Sequence, residues 1–299
     1  MNLTYIIGNL LLFLILAPLF DGIVRRITAR IQSRQGPPLT QGYYDLLKLL
    51  GKESLLSSPY RTFKMAPLIG FATILTVIAF LPVAGQETVL SGKADIITII
   101  YLLTFGGLAI LLGASSSRNP YAMMGASREM ATMVMIEPVL AMTLIMAAMK
   151  QGSLLIPVSA MTVSAPFTFS ILAMAALYLL ALQAFVGRQP FDVAEAEIEL
   201  LEGPFIEYSG PSYALFKYYM MLKQMFYSYL FVFLFIPVPS TGIYPLDALI
   251  PAVSAVVLIA FIALIGATNP RVRIDQAVKY YAVLAVFALG TVGLSAAGF

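Results

Sequence analysis

Six of the 15 acidic residues in this 299-residue chain fall within one short stretch. It reads Gly187-Arg-Gln-Pro-Phe-Asp-Val-Ala-Glu-Ala-Glu-Ile-Glu-Leu-Leu-Glu-Gly-Pro-Phe-Ile-Glu-Tyr-Ser-Gly210. Read as a helix at about 100° per residue, Asp192, Glu195, Glu199 and Glu202 share one stripe, and Glu197 points the other way. Ile198, Leu201 and Phe205 form an apolar face alongside. Gly203-Pro204 stops the helix, and Glu207 follows in the turn. Carboxylates at these spacings repel one another when ionised. Repulsion and burial both raise their pKa values toward neutrality. A row of such groups with water between them can hold and pass protons. The competing reading is a solvated acidic face, where salt screens the repulsion. Val193, Ile198, Leu200, Leu201, Phe205 and Ile206 make a poor solvent-exposed loop and favour the first reading.

Glu137 stands alone in the apolar run Met130–Met149 and is followed by Pro138, which removes a helical hydrogen bond and frees a carbonyl one turn back. A glutamate at that depth must be neutral, paired or hydrated. A proton-path role is one reading, and a structural contact to an arginine or tyrosine is the other. Uncharged polar groups are the commoner structural glue inside membranes, which favours the proton path. The methionines and the tyrosines of Tyr213–Tyr229 read as packing and interface residues.

The elements that position these groups follow from composition. Apolar residues make up 60% of the chain and charged residues 11%, against about 45–50% and about 25% in soluble proteins. So few charges cannot cover a water-soluble fold of this size. The chain reads as all-α, a polytopic membrane helical bundle forming a single transmembrane domain over 1–299. Eight segments suit spans of about 20 residues: 3–20, 66–84, 96–113, 130–149, 168–186, 225–238, 247–266 and 277–297. The first is followed by Asp21 and two arginines, the reverse of a cleaved signal, so it is read as a retained span. Cysteine and histidine are both absent. This removes Fe–S ligation, thiolate chemistry and most transition-metal sites.

Every basic residue except Lys93 and Lys150 falls in 21–65, 114–129, 187–224 or 267–279. The positive-inside rule places these four regions in the cytoplasm and both termini outside. The expected location is the cytoplasmic membrane, in contact with its lipid. No nucleic-acid motif or phosphate-binding glycine loop is present. No internal repeat supports an inverted-repeat transporter. Gln41–Gly51 reads as a short amphipathic helix with Leu46, Leu49 and Leu50 on one face and Asp45 and Lys48 about one turn apart. It serves either as an interfacial helix on lipid or as a docking platform.

These strings together resemble the membrane subunit that carries the quinone chamber in respiratory complex I. The acidic stretch carries the resemblance, with Arg34-Gln-Gly-Pro37, Asp45-Leu-Leu-Lys48, Gly113-Ala-Ser-Ser-Ser-Arg118 through Glu137, and Pro270-Arg-Val-Arg-Ile-Asp-Gln276 in matching order. Two departures stand out: Gly36-Pro-Pro-Leu39 replaces a Gly-Pro-Asn-Arg, and Met220 replaces a glutamate. Leu201-Glu-Gly-Pro-Phe-Ile-Glu207 and Lys217-Tyr-Tyr-Met-Met-Leu-Lys223 look more like the version in energy-converting membrane-bound hydrogenases and sulfur-reducing complexes.

The resemblance implies a heel-like subunit with no cofactor of its own. Fe–S clusters and a NiFe-type site would lie in peripheral Fe–S and hydrogenase-like subunits docked on 21–65 and 187–224. Antiporter-like and small membrane subunits would continue the ion path sideways. The implied proton path comprises Glu137, Asp192, Glu195, Glu197, Glu199, Glu202 and Glu207. The implied docking side carries Arg25, Arg26, Arg34, Asp45, Lys48, Arg61, Arg118, Arg188, Arg271 and Arg273. Alternatives are the quinone-chamber subunit of complex I itself and a purely structural membrane anchor.

Overall fold

A computed structural model describes residues 2–55, 57–82, 94–155, 168–195, 197–237 and 244–298, with residues 2, 3, 197, 198, 244–246 and 248 described in their backbone alone. The long elements are α1 (Asn2–Ile31), α2 (Gln41–Leu50), α3 (Arg61–Phe80), α4 (Ile96–Ser116), α5 (Pro120–Gln151) and α6 (Phe169–Val186). A single turn, α7 (Glu197–Leu200), and a 3₁₀ turn (Gly203–Phe205) lead to α8 (Gly210–Phe235), α9 (Tyr244–Thr268) and α10 (Ile274–Ala296). Among the described residues there is no strand, only an isolated bridge between Asp95 and Leu155. The connections Pro82–Asp95 and Gln151–Pro166 lie mostly outside the described residues.

Seven of these helices are long and apolar enough to cross a bilayer: α1, α3, α4, α5, α6, α9 and α10. The eighth expected span, 225–238, is the second half of α8. That helix begins at Gly210, has 26 residues and extends about 39 Å. It carries Lys217, Lys223 and five tyrosines. Its polar groups are tolerated because α8 sits inside the bundle, packed by α1, α2, α3, α6 and α9. Phe216, Phe226 and Tyr229 on it are fully buried.

The helix ends follow local chemistry. Pro120 starts α5, and the Asn119 side chain accepts a hydrogen bond from the Tyr121 amide. This start lies ten residues before the expected 130, so much of the expected loop 114–129 is helix. Left-handed Gly152 and Gly187 close α5 and α6. The helix α2 forms over the expected residues and lies across α1 and α8. Leu46 faces the protein, but Leu47 and Leu50 face outward, so its inner face is narrower than the leucine spacing suggests.

The acidic stretch departs most from its expected form. It is not one helix: Leu201, Glu202 and Gly203 all have positive φ, at 51°, 73° and 51°. Residues 191–195 are not helical, and the left-handed run ends α7 after a single turn, so the expected stripe does not form. Leu201 is exposed rather than on a buried face. The segment is clamped at the basic end of the bundle, where all four basic connections meet. Val272 N–H donates to the Pro190 carbonyl (2.9 Å), and the Tyr208 hydroxyl donates to the Phe63 carbonyl (3.1 Å). The Tyr208 ring stacks on Phe63 at 4.1 Å.

Gly203 is required twice, by its φ and because a Cβ there would lie 2.1 Å from the Ala194 carbonyl oxygen. Gly203→Ala is expected to destabilise the protein by about 1–3 kcal/mol. Gly293→Ala, where an added Cβ meets nothing within 4 Å, is expected to be neutral or slightly stabilising. Thermal unfolding of the detergent-purified protein checks both.

Candidate functional site

A cavity of about 700 Å³ opens at the basic end, between α1, the end of α6, the acidic segment, α8 and α9. Asp21 lies in its wall, 1% exposed. Such a buried carboxylate requires cationic partners. Arg25 Nη2 stands 2.8 Å from Asp21 Oδ2, and Arg188 donates to Asp21 Oδ1 and to Gln224 Oε1 (3.1 Å). Arg25 also reaches Asp45 on α2 (2.9 Å), which Gln41 (2.9 Å) and Lys217 (3.6 Å) contact as well. Burial works against ionisation of Asp45. Hydrogen bonds from Gln41 and Arg25 and the charge of Lys217 outweigh it, and hold Asp45 below the usual carboxylate range. On the far wall, Arg271 Nη2 donates to Asp192 at 2.8 Å.

Glu195 lines this cavity and also a second, much smaller one of about 30 Å³, roomy enough for water. The second cavity is bounded by Glu129 from α5, Tyr219 and Lys223 from α8, Ile110 from α4 and Asp192. Burial, reinforced by the negative charges of Asp192 and Glu129, raises the Glu195 carboxyl to about 8. Arg188 and Lys223 oppose the rise. Glu195 can therefore take up and release a proton near neutral pH. Farther along α5, Glu137 is half-buried with Thr104 of α4 in hydrogen-bonding reach. Tyr227 of α8 is electrostatically coupled to it.

The remaining expected path residues separate. Glu199 is exposed and pairs with Arg128 at 2.7 Å. That hydrogen bond and charge lower its proton affinity. Glu202 is exposed in the left-handed turn. Glu207 accepts from Asn119 Nδ2 at 2.6 Å, tying the segment to the start of α5. The side chain of Glu197 lies outside the described residues. Thus Asp192 and Glu195 line the inner cavities, whereas Glu199 and Glu202 face outward.

The expected docking residues divide similarly. Arg25, Arg188, Arg271 and Asp45 are engaged inside or at the rim of the large cavity. Arg26, Arg34, Lys48, Arg61, Arg118 and Arg273 are exposed. Arg34 also lines the cavity, and Arg118 lies 4.8 Å over the Tyr60 ring.

Four charged residues outside the expected site belong to this arrangement: Asp21, Glu129, Lys217 and Lys223. For Glu129 and Lys223 a signal was present in the spacing. Glu129 and Glu137 are eight residues apart on α5, as are Tyr219 and Tyr227 on α8, with Lys223 midway. The signal was usable only once 120–129 was known to be helix.

A family described as NADH dehydrogenase matches residues 4–296. The chain belongs to this family. Hydrogenase-4 component C of Escherichia coli K12 is 36% identical over 236 residues, which cover 78% of this chain and 75% of that protein. Formate hydrogenlyase subunit 4 of the same organism is 34% identical over 284 residues, 92% of each chain. An NADH-quinone oxidoreductase subunit of Wolbachia pipientis wMel is 30% identical over 311 residues, 93% of this chain and 89% of that one. Among solved structures, a chain of an archaeal respiratory complex, the membrane-bound sulfane sulfur reductase, superposes with a TM-score of 0.82 at 27% identity. The match covers 96% of this chain and 99% of that chain. These matches include the hydrogenase and sulfur-reducing branch to which the 201–223 residues pointed.

Glu195 also sets a pH dependence. Its folded pKa is raised, so from the ordinary 4.5 up to about 8 the folded state holds a proton that the unfolded state has lost. Stability from this group therefore declines as pH rises through that window, and the decline levels off above it. A carboxylic C=O infrared band that disappears near pH 8 is expected in the wild type and absent in Glu195→Gln. The variant is also expected to show a shallower loss of stability with pH.

Proposed function

We propose that this chain is the non-redox membrane subunit of a hydrogenase-type or sulfur-reducing respiratory complex. Electron transfer takes place in docked peripheral subunits bearing Fe–S clusters and a NiFe-type site. This chain converts the change at their interface into proton or sodium translocation through antiporter-like neighbours. With neither cysteine nor histidine, it offers no ligand set for those centres. The four basic connections face the cytoplasm, and both termini lie outside.

The observation that carries this reading is a titratable line that begins in the large cavity. Asp192 and Glu195 share that cavity with the small one, and Glu195 and Glu129 then lead toward Glu137 in the middle of α5. Moving one charge against 100 mV requires about 2.3 kcal/mol, equivalent to under two pKa units. A docked redox module that shifts Arg188, Arg271 or the acidic segment by a small distance changes the proton affinity of Glu195 on that scale. Coupling then needs only that loading and release face different sides in the two states.

Glu137→Gln is expected to abolish charge translocation by the assembled complex in proteoliposomes, without lowering the amount of complex on a native gel. Normal translocation by an assembled Glu137→Gln complex sinks the reading.

A quinone-chamber role is the second reading. The size of the large cavity and the 30% identity to an NADH-quinone oxidoreductase subunit favour it. Against it, the cavity wall is dense in charge: Asp21, Arg25, Arg188, Asp192, Glu195, Lys217 and Arg271. Met220 stands where a glutamate is expected. Quinone reduction by the purified complex, blocked by quinone-site inhibitors, would support this second reading.

A further inference from the structure

We propose that Glu129 is the relay carboxylate between Glu195 and Glu137, and that Lys223 is the cation that positions it. This rests on the reading of the chain as an ion-translocating subunit and names the step that the acidic segment alone leaves open.

Both α5 and α8 start at the basic end and run the same way through the bundle. Along α5, Glu129 to Glu137 is two helical turns and a little more, a rise of about 12 Å. Along α8, Tyr219 to Tyr227 is the same rise, and Lys223 lies halfway on the same face. Both rows start at the small cavity, which Glu129, Tyr219 and Lys223 line together, and run the same distance into the bundle. Between them stands α4, which presents Gly106 to Tyr219. A Cβ there would lie 2.9 Å from the tyrosine hydroxyl, so the glycine lets the α8 row come close. Ile110 of α4 closes the small cavity at the level of Glu129.

That cavity is where the segment and the membrane rows meet. Glu195 and Asp192 enter from the segment, Glu129 from α5, and Tyr219 and Lys223 from α8. Other charged or titratable groups bear on the same point. Arg188 acts on Glu195, Tyr227 acts on Lys223, and Tyr281 of α10 feels the charge of Glu129. Lys223 itself acts on Glu195 above and Glu137 below. One ammonium thus serves three carboxylates, which a buried cluster of like charges requires.

The step is proton transfer without redox change. The Glu195 carboxylic acid gives its proton to the Glu129 carboxylate through the small cavity. Glu129 passes it along α5 to Glu137, and Glu195 is reloaded from the large cavity. Lys223 stays charged and holds Glu129 in place.

The test uses the whole complex in proteoliposomes. Glu129→Gln is expected to lower the rate of charge translocation by about 10²-fold or more, the usual effect of removing a positioned acid–base group. The assembled amount should be unchanged. Should Glu129→Gln not assemble, Glu129→Asp is read instead, with slowed translocation expected because the carboxylate is withdrawn by one methylene. For Lys223, the readout is the infrared titration of Glu195. Lys223→Met is expected to move it to higher pH, whereas Lys223→Arg leaves it in place. Normal translocation by Glu129→Gln together with loss in Glu137→Gln overturns the relay and leaves the proposed function standing. Normal translocation by both variants overturns the proposed function as well. An unmoved Glu195 titration in Lys223→Met overturns the role given to the lysine.

Discussion

Ionised groups inside an apolar bundle must be compensated where they stand, because no bulk water reaches them. Most of the architecture at the basic end serves that constraint. Asp21 is held by Arg25 and Arg188, Asp192 by Arg271, and the Glu129–Glu195 pair faces Lys223. The same need explains why α8, with two lysines and five tyrosines, lies inside the bundle. Its lysines and tyrosines meet protein partners there, while helices with purely apolar outer faces meet lipid. Removing both Arg25 and Arg188 would leave Asp21 buried without a cationic partner, which costs more than the pairs themselves contribute.

The broken form of the acidic segment follows from where its carboxylates must go. A continuous helix would have kept Asp192, Glu195, Glu199 and Glu202 on one face, all buried or all exposed together. Here residues 191–195 are not helical, only Glu197–Leu200 form a turn, and the left-handed run at Leu201–Gly203 ends it, so the four separate. Asp192 and Glu195 line the inner cavities, Glu199 pairs with Arg128 at the surface, and Glu207 locks the segment to Asn119. The surface residues seat the segment, and the inner two are left with a proton affinity that small movements can change. Since Arg188 and Arg271 belong to the same segment and to the α9–α10 connection, a partner pressing on that end acts on Glu195 through charge as well as through position.

Met220 marks where the chain departs from its sequence resemblance to quinone-chamber subunits. It lines both cavities where the sequence resemblance leads one to expect a glutamate, and Lys223 stands one turn farther along α8. Glu129 supplies a carboxylate to the same small cavity.

Composition and spacing alone determined the membrane bundle, the span order, the basic end and the short helix at Gln41–Leu50. Each of these depends on hydrophobic length or charge sign, which are local properties of the chain. The fate of each carboxylate in 187–210 was not legible. Helical periodicity assumes one continuous element, and the positive φ values at Leu201 and Glu202 belong to residues with no intrinsic preference for them. Asp21, Glu129 and Lys223 were visible as charges but not as members of a site. Their significance lies in which distant segments they meet: Asp21 with Arg188, 167 positions away, and Glu129 with Lys223 at the small cavity. Only tertiary packing brings such pairs together, because the low dielectric that makes the pairing necessary exists only after the helices have assembled.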